Sequence, residues 1–284
     1  MSLKRAELTK ITELKDYTTI KIGGRASSFF LVNSLQQLRR ALSESDSYYI
    51  LGKGSNLLIA DTLIEKPIIK LGQEFNYIKK RSDSIVEVGA ATSLACLMNY
   101  CLRNDLSGLE NLVGIPATIG GLLAMNASSY GEEISSKVLE VCLVDVQGNI
   151  RKLKRQDLIV GYRYSAIANS IIIWVRFSLS KSKGLKQRLS CFIQERLNSQ
   201  DFSLPSCGCI FKNPEGESAG LLIEACGLKG VQEGGAQISS KHANFIVNLG
   251  GASYRDVDYL IQKIKSEVCN KYSIILDEEI KRWS

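Results

Sequence analysis

Between residues 108 and 131 the chain reads "GLENLVGIPATIGGLLAMNASSYG", with glycines at 108, 114, 120, 121 and 131 among small residues. No other feature restricts the fold as much. Glycine lacks a Cβ, so it serves where backbone must turn sharply or approach another surface closely. Such a stretch implies main chain packed against something flat or anionic, or else a series of tight turns in a strand-rich domain. A shorter loop has the same character. "ILGKGSNLL" leaves an apolar strand, passes through Gly52, Lys53, Gly54, Ser55 and Asn56, and becomes apolar again. Successive backbone N–H groups in such a turn can converge on an oxyanion. Taken singly it reads as a structural turn; together the two loops could clamp one dinucleotide. The short loop is not a Rossmann fingerprint, because Leu57 takes the third glycine position and no helix signal follows. No G-x-x-x-x-G-K-[ST] phosphate loop occurs either.

The segments around the loops alternate between strand and helix patterns without regular β-α-β order, which implies an α+β protein of more than one module. "SSFFLV" (27–32) reads as a strand, and Leu35, Leu38, Ala41 and Leu42 follow at helical spacing behind Ser34. "YYIL", "PIIKL", "FNYIKK" and "SIVEVGA" read as strands, then Leu94, Leu97, Met98, Cys101 and Leu102 mark a helix face. "VLEVCLVDV" and "SIIIWVRFSL" are strands separated by a "QGN" turn and the loop "GYRYS". A charged helical segment, "KSKGLKQRLSCFIQERLNSQ", marks the boundary between halves. Beyond it come "CGCIFKNP", a helix closed by Gly227, and the strand "ANFIVNLG". A last helix opens with Ser253 and Asp256 as a capping box and turns Val257, Leu260, Ile261, Ile264 and Val268 inward. "SIIL" is expected as the final strand.

The longest apolar runs fall well short of the roughly 18 residues that a membrane span needs. "MSLKRAELTK" has no apolar stretch behind its basic residues, so no signal peptide is expected and the protein is placed in the cytoplasm. Net charge is +7, with no dense basic block to suggest nucleic acid, and a basic excess suits anionic small ligands. None of the eight cysteines is spaced C-x-x-C and the chain has one histidine, so no structural metal site is expected. Most of the thiols are expected to be small, reduced core residues. Cys207 and Cys209, astride Gly208, raise a separate question: redox pair, metal ligands, packing, or a group that moves a proton.

Taken in order, "TTIKIGGRA", "LGKGSNLL", the 108–131 stretch, "GYRYS", "CGCIFKNP", "AGLLIEACGLKG" and "GGAQISSKHANFIVN" resemble the UDP-N-acetylenolpyruvoylglucosamine reductase family. The blocks run from about residue 17 to about 280, nearly the whole chain. The resemblance implies a two-part FAD-binding domain of the vanillyl-alcohol-oxidase (PCMH) type plus a C-terminal α+β substrate domain. The boundaries expected are 1–180, with the two parts split near 72, and 181–284. The chain's length places it with the family's compact type, which lacks an extra substrate-covering loop. The implied reaction is NADPH-dependent, FAD-mediated reduction of UDP-N-acetylglucosamine enolpyruvate to UDP-N-acetylmuramate, in peptidoglycan synthesis, by a monomer.

The resemblance also assigns residues. FAD would be held, without covalent attachment, by Gly52, Lys53, Gly54, Ser55, Asn56, Leu57 and Leu58, and by Ile115, Pro116, Ala117, Thr118, Gly120 and Gly121. A bulky residue at Gly54 or Gly120 is expected to occupy the cofactor's space. Arg163 corresponds to the arginine that stabilises the enolate formed on hydride addition; a guanidinium stays charged and forks onto a carboxylate. Glu279 corresponds to a glutamate that assists at the enol carboxyl group, although Glu278 stands where the family has proline. Cys209 takes the position of the serine that protonates the substrate carbon, and a thiol is intrinsically the stronger acid. Tyr162 and Asn213 are expected at the substrate. His242 reads as a structural, hydrogen-bonding histidine. Other departures are Ala117 in "GIPA", where the family has glycine, and "NASSYG" in place of "NAGAYG". Two alternatives remain: an oxygen-using carbohydrate oxidase of the same superfamily, and a UDP-sugar-binding protein that has lost turnover.

Overall fold

Among the described residues, five helices begin where a serine or threonine precedes apolar residues. A computed structural model describes residues 12–45 and 47–284. Ser34, Ser93, Thr118, Ser218 and Ser253 each accept a backbone N–H from the first turn of the helix that follows. Each such cap satisfies an otherwise orphaned donor and contributes about 1 kcal/mol. The segment read for a signal peptide lies outside the described residues. Among the described residues no helix is long and apolar enough to cross a membrane.

Contacts group the described chain into two units, one of residues 28–53 and 66–195, the other of residues 12–27, 54–65 and 196–284. In the first unit, Phe29–Val32, Ile68–Leu71 and Tyr49–Ile50 form a small parallel sheet with Ile68–Leu71 in the middle. A larger antiparallel sheet runs Ile150–Lys154, Val138–Val144, Ile171–Ser178, Ile85–Gly89, Ile78–Lys80. Its two central strands are apolar at almost every position because both faces are covered. Val141, Leu143, Val175 and Phe177 enter one core cluster, whereas Cys142, Val144, Ile171 and Ile173 enter another. Strand side chains alternate between faces, so a run of apolar residues feeds two cores at once. Helix α1 (Leu35–Ser43) covers the second core; α2 (Leu94–Arg103), α3 (Ile119–Ala124) and the start of α4 (Leu185–Ser199) contribute to the first.

The second unit is built on a four-stranded antiparallel sheet in the order Ser206–Cys209, Phe245–Asn248, Ala236–Ile238, Gln232–Glu233. Helix α5 (Ala219–Ala225) ends at Gly227, which adopts φ +72°. Helix α6 (Tyr254–Tyr272) carries the expected capping box and buries Val257, Leu260, Ile261, Ile264 and Val268 completely. Each buried side chain of this size contributes on the order of 2 kcal/mol. Leu57–Ile59 pairs in parallel with Lys281–Trp283, the last strand.

Four local expectations are corrected. "SIIL" forms no strand: α6 stops at Ser273 in a left-handed conformation, and Ile275 is 82% exposed. Leu102 is exposed because the buried face of α2 is set by Leu94, Leu97, Met98 and Cys101, and a residue one position further round leaves it. The first part of "FNYIKK" belongs to a 3-10 turn, and its strand is confined to Ile78–Lys80. Of the cysteines, only Cys101, Cys142 and Cys207 are buried; Cys96, Cys191 and Cys269 are exposed, and Cys209 and Cys226 lie between. An unexpected helix, α3, lies within the glycine-rich stretch, where Thr118 supplies the cap that the glycine pattern had obscured.

Candidate active-site elements

The glycine loops differ in what their glycines do. A Cβ on Gly52 would stand 2.9 Å from Thr118 Oγ1 and 3.9 Å from Gly121 Cα, so the two loops approach each other within the first unit. A Cβ on Gly121 would meet only Thr118 Oγ1, at 3.3 Å, leaving bare backbone there. Lys70 Nζ donates to the Gly52 carbonyl at 2.6 Å. Burial holds the Lys70 pKa below its usual value, and the charge of Lys53 lowers it further. Side-chain-free backbone with two lysines beside it fits the diphosphate of FAD, the group the resemblance implies. The residues from 115 to 121 are fastened from behind: Ala117 O accepts from Leu94 N, Ile119 N donates to Thr92 O and Gly120 N to Ala90 O. Ala117 packs its methyl against the first core, so the alanine is accommodated. Pro116 is exposed, while Ile115 is half-buried against that core.

Gly54 and Gly120 are also constrained by the protein's own chain. A Cβ on Gly54, which has φ +68°, would lie 2.1 Å from Tyr17 O, and one on Gly120 would lie 3.0 Å from Ala90 Cβ. A side chain at Gly54 therefore collides with the protein's own backbone, and one at Gly120 needs Ala90 to give way by a few tenths of an ångström, before any cofactor is considered. Gly54 to Leu58 belong to the second unit. There Leu57 and Leu58 pair with Lys281 and Arg282, Leu58 is buried, and Asn56 Nδ2 donates to Glu279 O at 3.0 Å. The Ser55 carbonyl lies 3.8 Å from where a Cβ on Gly208 would stand.

Arg163 sits at the tip of a hairpin in which Val160–Gly161 pairs with Tyr164–Ser165. Its φ of +54° is left-handed, a conformation that costs a non-glycine residue about 1 kcal/mol. Arg163 Nη1 donates to Ser128 O at 3.2 Å and to Ser128 Oγ at 2.5 Å. The guanidinium carbon lies 5.2 Å from the centre of the Tyr162 ring, and Tyr162 is 47% exposed. Asn126, fully buried, ties the hairpin down by donating from Nδ2 to Gly161 O at 2.9 Å.

Cys209 ends the strand Ser206–Cys209, opposite Phe245. The ladder is irregular between Ser206 and Cys209, and Gly208 takes φ +79° there. Cys207 is buried, and desolvation pushes its thiol up to about 12. Cys209 is only partly buried, so the two thiols of the motif stand in different surroundings. Just beyond, Asn244 acts as a strand partner in miniature: Oδ1 accepts from Phe211 N at 2.9 Å and Nδ2 donates to Phe211 O at 2.8 Å. Ile210 N donates to Asn244 O, and Ile210 O accepts from Glu279 N. Cys209 and Glu279 thus stand on neighbouring, backbone-paired segments of the second unit.

Glu278 and Glu279 separate in role. Glu278 takes Lys265 Nζ at 2.6 Å and Arg282 Nε at 2.7 Å. Burial alone would raise its pKa, but the Arg282 and Lys265 hydrogen bonds outweigh that and keep it below the usual carboxylate value. Asn213 Oδ1 accepts from Ala219 N at the start of α5. His242 Nδ1 accepts from Asn244 N, its ring lies 4.6 Å from that of Phe245, and burial lowers its pKa. Among the described residues no cluster of three or more His, Cys, Asp or Glu could hold a metal.

Asn126, Ser128 and Asn244 were not singled out for these tasks by sequence. A polar residue inside an apolar run, as in "ANFIVN", is the one signal that could have flagged Asn244, since a buried amide must be paired.

The class follows from the fold. Residues 27–154 match the family model described as FAD binding domain, and residues 199–283 match UDP-N-acetylenolpyruvoylglucosamine reductase, C-terminal domain. The protein is thus α+β, an FAD-binding domain of the vanillyl-alcohol-oxidase (PCMH) type with a reductase C-terminal domain. The chain is 37% identical over 277 residues to the UDP-N-acetylenolpyruvoylglucosamine reductase of Syntrophobacter fumaroxidans, covering 93% of this chain and 80% of that one. It is 37% identical over 287 residues to the Caldanaerobacter subterraneus enzyme of the same name, covering 98% and 94%. The solved structure of UDP-N-acetylenolpyruvylglucosamine reductase from Thermus caldophilus matches with TM-score 0.87 at 36% identity, over 97% of this chain and 98% of that one. The chain belongs to the UDP-N-acetylenolpyruvoylglucosamine reductase family.

Proposed function

We propose that the protein reduces UDP-N-acetylglucosamine enolpyruvate to UDP-N-acetylmuramate at the expense of NADPH, with Cys209 as proton donor. The observation that supports it is the backbone pairing of Ile210, next to Cys209, with Glu279, which sets the two residues on neighbouring segments of one unit. FAD, when bound, carries the hydride from NADPH to the terminal carbon of the enolpyruvyl double bond. Gly52, Lys53, Thr118, Gly120 and Gly121 would hold it, with Lys70 bonded to the Gly52 carbonyl. Negative charge then develops toward the substrate carboxylate, where a preorganised cation lowers the barrier most. Arg163 serves there, and Glu279 assists at the enol carboxyl group. The Cys209 S–H bond breaks as the new C–H bond forms at the adjacent carbon, and water reprotonates the thiolate. Tyr162 and Asn213 contact the substrate.

The same reading divides the work between residues 1–180, which bind the cofactor, and 181–284, which bind the substrate, while by contacts residues 12–27 and 54–65 group with the second unit and 181–195 with the first. It takes the protein to be a compact-type monomer of the cytoplasm, acting in peptidoglycan synthesis.

The test is NADPH oxidation by the purified, FAD-loaded protein. It should depend on the enolpyruvyl sugar nucleotide and yield UDP-N-acetylmuramate in equal amount. Oxidation that proceeds equally without the sugar nucleotide, consuming oxygen, would sink the reading. A Cys209→Ala enzyme that turns over normally would leave the reaction standing and remove only the proton donor.

A further inference from the structure

Arginine has a long side chain with many rotamers, so a guanidinium that must meet a developing charge gains from being held beforehand. Arg163 is presented on a strained hairpin tip, flanked by the exposed rings of Tyr162 and Tyr164. Ser128 offers two acceptors to one of its nitrogens: the carbonyl oxygen at 3.2 Å and the hydroxyl at 2.5 Å from Nη1. The carbonyl bond is available from any residue. The hydroxyl bond is not, and the related "NAGAYG" pattern has glycine at this place.

Ser128 is itself anchored. It pairs with Glu133 and Ser129 with Glu132 in a two-stranded ladder. Asn111, a buried residue, braces that ladder by donating from Nδ2 to Ser129 O at 2.6 Å and to Glu132 O at 3.1 Å. Asn126 then joins the same loop to the Arg163 hairpin through Gly161 O. The hydroxyl is thus mounted on braced backbone, and two acceptors on one nitrogen fix both the position of Nη1 and the plane of the guanidinium. A neutral hydroxyl accepts from the cation without itself neutralising it.

We propose that the Ser128 hydroxyl is a positioning group for Arg163, holding its guanidinium in the orientation that receives the charge formed on the substrate. The proposal rests on the reading of Arg163 as the enolate-stabilising cation. Ser128 touches neither substrate nor cofactor in this role and acts through the arginine.

The experiment is stopped-flow on the FAD-loaded enzyme, following flavin reduction by NADPH and reoxidation by the enolpyruvyl substrate separately. Ser128→Ala should slow reoxidation about tenfold, the scale of one hydrogen bond to a charged group, and leave reduction within about twofold. Ser128→Gly, which keeps the carbonyl bond, should show the same loss and stands in if the alanine variant does not fold. Ser128→Thr should recover most of the rate. Wild-type reoxidation in Ser128→Ala and Ser128→Gly, with Arg163→Lys slowed, would overturn the proposal and leave the role of Arg163 intact. Wild-type reoxidation in Arg163→Lys as well would remove both. Equal slowing of both half-reactions by Ser128→Ala, unrescued by threonine, would make the residue merely structural and also refute the proposal.

Discussion

The hairpin that carries Arg163 and the strand that carries Cys209 are held by different means. Arg163 depends on local polar contacts: two bonds to Ser128, a tether from Asn126 to Gly161, and a backbone at φ +54°. Cys209 depends on core structure. Its strand lies in a four-stranded sheet, Cys207 beside it is buried, and the next residues are paired with Asn244 on one side and Glu279 on the other. A long, charged side chain can be aimed by neighbours near the surface. A thiol on a one-carbon stem can reach only where its backbone puts it, so its placement is a matter of sheet register.

The comparison is most open to attack at Cys209. Cys209→Ala is expected to slow flavin reoxidation by about 10²–10⁴-fold, the range for a lost general acid. Cys209→Ser should restore much of the rate, and NADPH reduction of the flavin should be unchanged in both. Cys209→Ala reoxidising at the wild-type rate would assign the proton to water or another residue.

Next in size is the support of that strand. Asn244→Ala strands both the N–H and the C=O of Phe211 in a buried setting, at about 1–3 kcal/mol each. The urea midpoint for the second unit should fall accordingly. A shift below about 0.5 kcal/mol would show that the sheet alone places Cys209.

Arg163→Lys is expected to slow reoxidation by about ten- to a hundredfold, because an ammonium keeps the charge but not the fork. Its stability should fall by no more than about 1–2 kcal/mol, the scale of the Ser128 hydrogen bonds that lysine keeps only in part. A large loss of stability would mean that the hairpin, too, is held by packing.

The smallest effect separates the two thiols. Cys207, raised from 9.0 to about 12, stays protonated in the folded state at pH values where the unfolded chain ionises it. Its contribution to stability is therefore complete below about pH 9 and lost as pH rises toward 12. Cys207→Ala should lack that part of the alkaline decline in a urea titration. Iodoacetamide should modify Cys209 in the native protein and spare Cys207; equal labelling would contradict their different burial.

Local sequence determined much of this protein. Serines before apolar repeats started helices at Leu35, Leu94, Ala219 and Tyr254, since caps and helical spacing act within a few residues. Ordered motifs along nearly the whole chain sufficed for the family. Tertiary structure decided the rest, wherever the partner is distant along the chain. Gly54 is confined to glycine by Tyr17 O, and Gly120 is crowded by Ala90. "SIIL" has strand propensity but finds no ladder, whereas Lys281–Trp283, less apolar, becomes a strand because Leu57–Ile59 offers an edge. Asn244 and Ser128 gain their tasks from Phe211 and Arg163, each more than thirty positions away, at |i−j| of 33 and 35. A hydrogen bond over that separation leaves no periodicity in sequence, because it exists only once folding has brought both ends together.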